Sequence, residues 1–471
     1  MGLDYFGDEI SLVFHRDKFR ALTEIAEHPK LSKQMRSLFY VVDRCKIQSF
    51  EKWDRCRPDP DPEEKLDYDR DAKFYTERDF RACEREGKKD FFKYLKRKAA
   101  VPECERQSAY EKYRALCQDI INVEDEGYDL NCLRVLFAKC PRIREVTIGS
   151  QMEIIRRLNA NITAFGDAMT RPSEDRHWWT SGVHQVLSVA KAAQHAGTRL
   201  DSLTLAHVSP MLFDKHGDVG DGEWHALKQL VQPLRRLRMF TDMTPPDPRE
   251  DGEVDELDLG IRQMQFDCEQ NFTDGYLHEI LSSATELRVL KLGMPQCNAD
   301  YDDPVYSRLD WALGETVYPH LYELSISDCE VDEEYLVDLI LRHKATLRRL
   351  YLSNISLFDF EASWVEVFTR ISCKLPQLRC LRLRGAFYSN GDSEIGFEEA
   401  GCESRRIAPY RDALENFILK GGEYPTDDET ILPDQADYPD ENYRRPGLRQ
   451  DNTEPDDPML DYDSDEFDTR I

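Results

Sequence analysis

The chain has 471 residues, 40% of them hydrophobic and 10% aromatic, enough apolar material for a sizeable core. Its formal net charge of −28, from 63 basic and 91 acidic residues, repels phosphate backbones and sets nucleic acid aside as a partner. No apolar run reaches the length of a membrane span, no charged-then-apolar leader opens "MGLDYFGDEI", and the thirteen cysteines are dispersed without a C-x-x-C pair. The expected compartment is therefore reducing, cytoplasmic or nuclear, without membrane contact.

Residues 1–50 read as an N-terminal helix and capping strand. Asp17–Glu27 sets Phe19, Leu22, Ile25 and Ala26 at helical spacing, Pro29 follows, and 35–42 reads as an edge strand. Residues 51–109 read as a charged helical and loop insertion. In it "RPDPDPEEK" (57–65) is a loop, because a residue before proline is pushed out of the helical region. "ERDFRACEREGKKDFFKYLKRK" (77–98) reads as a solvated helix broken near Gly87. Tyr110, Tyr113, Cys117 and Ile120 then form a helical packing stripe.

From 110 to 422 one pattern returns. "LYELSI" (321–326) carries apolar residues at positions one, four and six. It recurs as "IREVTI" (143–148), "LDSLTL" (200–205), "LRRLRM" (234–239), "LRVLKL" (287–292), "LRRLYL" (347–352) and "LRCLRL" (378–383). "MRSLFY" (35–40) and "IRQMQF" (261–266) are weaker copies. From 200 onward, successive starts lie 26–34 residues apart. Helical stripes stand between them, such as Val183, Val186, Leu187 and Ala190 before a stop at Gly197, or Trp364, Val367, Phe368 and Ile371. Pro141, Pro319 and Pro376 each precede a copy by two residues, where proline ends a helix and admits an extended segment.

The unit is thus strand, turn, helix. Positions four and six point to one side of the strand, and burying each leucine contributes roughly 1.5–3 kcal/mol. One unit cannot cover them alone, so units must stack. The spacing is that of leucine-rich repeats. The expected fold is an α/β leucine-rich-repeat solenoid with a helical insertion and a disordered acidic tail.

Positions three, five and seven then face a concave wall. There Arg236, Arg238, Lys291, Arg349, Arg382 and Arg384 outnumber Glu145 and Glu323, with Phe240 and Tyr351 as aromatic anchors. Arginine and aromatic side chains carry most interface energy. These eight basic and aromatic residues are the candidate partner-binding site, and the expected partner is a protein with an acidic segment, the chain's own tail included. That tail, 423–471, holds 4 basic and 17 acidic residues with many prolines, a composition that does not order itself. Its end, "MLDYDSDEFDTRI", alternates acidic and apolar residues and reads as a docking motif or a solubilising tail.

Chemistry-bearing motifs are few. There is no phosphate loop, dinucleotide fingerprint, nucleophile elbow or H-E-x-x-H. "DKHGDVGDGE" (214–223) misses calcium-loop spacing and reads as a surface loop, and "HWW" (177–179) as a loop staple. Cys132 with Cys140 and Cys373 with Cys380 lack zinc-ligand spacing. Cys329 reads as a buried wedge. No catalytic residue, metal or cofactor is expected.

Several stretches resemble the leucine-rich-repeat region of filamentous-fungal F-box proteins. They are "DKFRALTEIAEHPKLSKQMRSLFY" (17–40), "YEKYRALCQDI" (110–120) with "LNCLRVLFAKCPRIREVTI" (130–148), "GVHQVLSVAKAAQHAGTRLDSLTL" (182–205) and "ALENFILKGGEYP" (413–425). The resemblance implies a substrate receptor whose F-box docks on the Skp adaptor of a cullin-based ubiquitin ligase while the repeats choose the target. Too few residues precede the first helix for an F-box, so that module is expected to be absent from this chain. What remains is a non-catalytic recognition scaffold. The alternatives are a ubiquitin-ligase receptor whose F-box lies upstream of this sequence, and an enzyme with a site on the solenoid rim.

Overall fold

The computed structural model describes residues 5–6, 8–42, 47–56, 101–149, 167–168, 182–215, 219–241, 266–294, 307–359, 362–389, 395–397 and 407–425. Their strands make one eleven-stranded sheet whose lateral order is the order of the sequence. The strands are β1 (Tyr5–Phe6), β2 (Glu9–Leu12), β3 (Ser37–Val41), β4 (Glu145–Gly149), β5 (Ser202–Val208), β6 (Arg236–Thr241), β7 (Val289–Gly293), β8 (Glu323–Val331), β9 (Arg349–Leu357), β10 (Cys380–Ser389) and β11 (Ile395–Phe397). From β2 to β10 all nine are parallel, and β1 and β11 join the ends antiparallel.

Parallel neighbours need crossover connections, which helices supply. The described helices are α1 (Arg16–Glu27), α2 (Phe50–Cys56), α3 (Glu103–Asp125), α4 (Tyr128–Lys139), α5 (Val183–Ala196), α6 (Asp221–Val231), α7 (Tyr276–Ser282), α8 (Leu309–Leu313), α9 (Glu333–Arg342), α10 (Trp364–Ile371) and α11 (Ile407–Lys420). α1, α4, α5 and α6 touch in turn, and so do α9, α10 and α11. The apolar stripes read from the sequence form the buried sides of these helices: Phe19, Leu22, Ile25 and Ala26 on α1, and Trp364, Val367, Phe368 and Ile371 on α10. Gly197 ends α5 at φ 62°.

Each L-x-x-L-x-L stretch supplies one parallel strand, which begins at its third position. The register keeps equal positions side by side. Leu38, Val146, Leu203, Leu237, Leu290, Leu324, Leu350 and Leu381 form the fourth-position row, none more than 2% exposed. The sixth-position residues form a second buried row, Tyr40 to Leu383. Together with the helix stripes they make one contiguous core.

Three readings change. The strand at 35–42 is not an edge, because β2 pairs with its outer side. The copy at 261–266 adds no strand between β6 and β7, which pair directly; 261–265 fall outside the described residues and Phe266 is helical. α3 runs unbroken through 109 and 110, where the insertion was to give way to the repeats. The loop at 57–65, the helix at 77–98, "HWW" and the tail from 426 onward lie outside the described residues.

β8, β9 and β10 run on past the hexamer through a shared irregularity. Asp328, Asn354 and Gly385 each have positive φ, at 60°, 51° and 64°. Asn354 Nδ2 donates to Asp328 Oδ1 at 3.0 Å, and a Cβ on Gly385 would stand 1.9 Å from Asn354 Oδ1. One residue on, Cys329 and Ile355 pair across the strands, and both are fully buried. Burial pushes the Cys329 thiol far up, which leaves it unreactive and fits its reading as a wedge.

Candidate functional site

Positions three, five and seven fall on the sheet face opposite the helix-packed rows, in straight lateral rows. The third-position row runs Ser37, Glu145, Ser202, Arg236, Val289, Glu323, Arg349, Cys380, and the fifth runs Phe39, Thr147, Thr204, Arg238, Lys291, Ser325, Tyr351, Arg382. The seventh runs Val41, Gly149, Ala206, Phe240, Gly293, Ser327, Ser353, Arg384. All eight candidate residues therefore share one face, on β6, β7, β9 and β10.

Much of the basic charge on this face is already matched. Glu323 stands between two cations, its Oε1 at 2.8 Å from Lys291 Nζ and its Oε2 at 3.2 Å from Arg349 Nη1. Its side chain is only 8% exposed. Burial acts to raise its pKa, but the bonds to Lys291 and Arg349 outweigh this and hold the carboxyl below its usual range. Arg236 Nη2 reaches Glu145 Oε1 at 2.5 Å across β5, and Arg382 Nη1 reaches Glu415 Oε2 of α11 at 2.9 Å. Arg236, Lys291, Arg349 and Arg382 are thus not bare charges, and the face is less cationic than its sequence suggests. The half-exposed pairs contribute little to stability, about 0–1 kcal/mol each.

Lys291 Nζ also lies 5.3 Å from the centre of the Tyr351 ring, whose hydroxyl receives the Cys380 thiol at 3.9 Å. Arg238 and Arg384 are exposed. Arg238 has no ion pair or hydrogen bond among the described residues. Beside it Phe240 is 39% exposed and lies on the backbone of Gly293, where an added Cβ would stand 2.6 Å from its Cδ1. Arg238 and Phe240 are the part of the candidate set left open to a partner.

Charge along the face is polarised. In these rows β2 to β5 carry Glu9 and Glu145 and no basic residue. β6 to β10 carry the six basic candidates and one acid, Glu323.

Two partners escaped the sequence reading. Glu415 sits among Leu414, Phe417 and Ile418, and a charge on that apolar side was its only local signal; it also accepts the Leu383 N–H at 3.0 Å. On the rim, Arg308 lies 4.5 Å from the Phe358 ring centre and 5.3 Å from that of Trp311, held by both oxygens of Asp310.

Elsewhere His184 meets Asp129 Oδ2 at 2.8 Å and Ser188 Oγ at 3.3 Å through the same ring nitrogen, with Glu124 at 3.1 Å on the other. Since Ser188 and Asp129 share Nε2, the ring cannot pass a proton from hydroxyl to carboxylate. Among the described residues no group of three or more His, Cys, Asp or Glu is placed to hold a metal ion. No described helix is long and apolar enough to cross a membrane. An open cavity of about 250 Å³ lies between β10 and α11, lined by Arg379, Leu381, Asp412 and Asn416 among others. No family model matches the chain, and comparison with curated proteins and with solved structures gives no match either.

Proposed function

We propose that this chain is a protein-recognition scaffold of leucine-rich-repeat type, whose open sheet face is a concave wall that binds an acidic segment of a protein partner. The observation that carries the reading is the lateral register. Equal positions of successive units stand side by side, so from β6 to β10 positions four and six line the core while positions three, five and seven share the other face. A face of that kind suits an extended polypeptide better than a small molecule, which needs a concave pocket. The polarised charge directs an acidic ligand to β6–β10, with Phe240 as anchor. In the resemblance to F-box proteins this is the target-choosing part, and target recognition for a ubiquitin ligase is the role it implies. Chemistry is not part of the proposal.

The test is binding of full-length protein to a panel of acidic peptides and to partners captured at low salt. Arg238→Glu with Phe240→Ala is the chosen variant, since Arg236, Arg349 and Arg382 already have carboxylate partners. With its melting temperature matched to the native chain, the variant is expected to lose at least tenfold in affinity, the effect of removing a hot spot. Unchanged binding would remove the wall from the proposal.

A further inference from the structure

The last described stretch of the chain is 407–425. α11 lies against β10, the last strand of the cationic half, and Glu415 ties the two together. Just past α11, Tyr424 packs edge-on against Phe417 with ring centres 5.3 Å apart, and the Phe417 carbonyl accepts the Ser372 hydroxyl at 2.8 Å, so the described residues end beside the turn from α10 into β10. From there 46 residues follow, Thr426 to Ile471, with 16 acidic and 4 basic side chains.

We propose that the end of this tail, residues 459–468, lies across the open face of β6–β10 in the same molecule and competes with the external acidic partner. This rests on the reading of that face as a recognition surface and names one of its ligands.

Length permits it. Strands are spaced at about 4.8 Å, so β6 to β10 span about 19 Å. "LDYDSDEFD" in extended form covers roughly 30 Å at 3.3 Å per residue, enough to cross all five strands. The 33 residues from 426 to 458, as a coil, reach about 30–35 Å. Chemistry permits it as well. Asp461, Asp463 and Asp465 fall on one side of an extended chain, with Met459 and Phe467, and Leu460, Tyr462 and Ser464 fall on the other, with Glu466 and Asp468. The acidic edge can meet Arg238 and the other edge Phe240, the two candidates left open on the face. Tethering sets an effective concentration near the millimolar range, so even a weak contact would hold.

The experiment uses full-length protein and a fluorescent peptide with the sequence of residues 459–471, followed by anisotropy at low salt, where exposed charges are least screened. Three chains are compared. They are the native one; one with Asp461→Asn, Asp463→Asn, Asp465→Asn, Glu466→Gln and Asp468→Asn; and that chain with Arg238→Glu and Phe240→Ala added. The neutralised tail is expected to raise peptide affinity at least tenfold over native, and the added wall changes to abolish the gain. Equal affinity for the native and neutralised chains would overturn the inference. If the wall changes still cost that shared affinity, the recognition reading stands without it. No binding to the neutralised chain would also overturn the inference, and the peptide panel above would then judge the face alone.

Discussion

At the scale of the residue, Gly385 and Gly197 share a backbone conformation, with φ of 64° and 62°, but not surroundings. Beyond Gly197 nothing lies within 4 Å of an added Cβ, whereas at Gly385 that atom meets Asn354 Oδ1. Gly197→Ala should therefore cost only the left-handed penalty, about 1–2 kcal/mol. Gly385→Ala should cost more, roughly 3 kcal/mol or above, because Asn354 must also give up its place. Urea unfolding of the two variants separates these values, and equal losses would mean that the contact at Asn354 yields freely. His343 gives a second expectation. It is 2% exposed, its Nε2 takes the Tyr318 N–H at 3.0 Å, and its Nδ1 gives to the Leu339 carbonyl at 2.9 Å. The ring must be neutral to accept, and burial, first of all, holds its pKa below 6.5. A lowered folded value means that the unfolded chain takes up the proton first. The stability His343 contributes is complete above pH 6.5 and is lost as pH falls from there toward the folded value. Melting temperature should fall between pH 7 and pH 5 more steeply for the native chain than for His343→Gln; parallel slopes would count against this role.

At the scale of the element, α11 finishes the sheet by means of one carboxylate. Glu415 is 5% exposed and serves both the Leu383 N–H and the Arg382 guanidinium. Glu415→Ala leaves a buried N–H without an acceptor, a loss of roughly 1–3 kcal/mol. Glu415→Gln retains the acceptor and should lose less. Amide exchange should rise first in α11 and β10 for the alanine variant and stay unchanged in α4. A uniform rise would show that Glu415 is not a local fastener. The sequence made the repeating elements legible, because position-four and position-six leucines recur with a strand's alternation and Trp364 to Ile371 with a helix's period. β2 was illegible for want of length: only Ile10 and Leu12 mark its buried side. The candidate face was legible as positions, since the register follows from the repeat. Its electrostatics were not, because Glu415 is 33 residues from Arg382 and Glu145 is 91 from Arg236 in the chain. Ion pairs of that separation leave no periodic trace.

At the scale of the whole molecule, each strand hydrogen-bonds only to its sequence neighbours, so strain entered at one place has only short routes to another. Leu350→Ala, in the buried fourth-position row, should cost about 2–5 kcal/mol. Its loss of exchange protection should centre on β8, β9 and β10 while β3 to β5 keep theirs; loss of protection throughout would show one cooperative unit. The antiparallel end strands have a consequence of their own. A long row of unpaired amides at either margin would invite a second copy to add its strands and grow a fibre. Here one margin is closed by the two residues of β1 and the other by the three of β11, with Glu415 on the Leu383 amide. Among the described residues the sheet thus grows unit by unit within one chain and ends at each margin in a strand of two or three residues, a short stretch of backbone for another molecule to begin on.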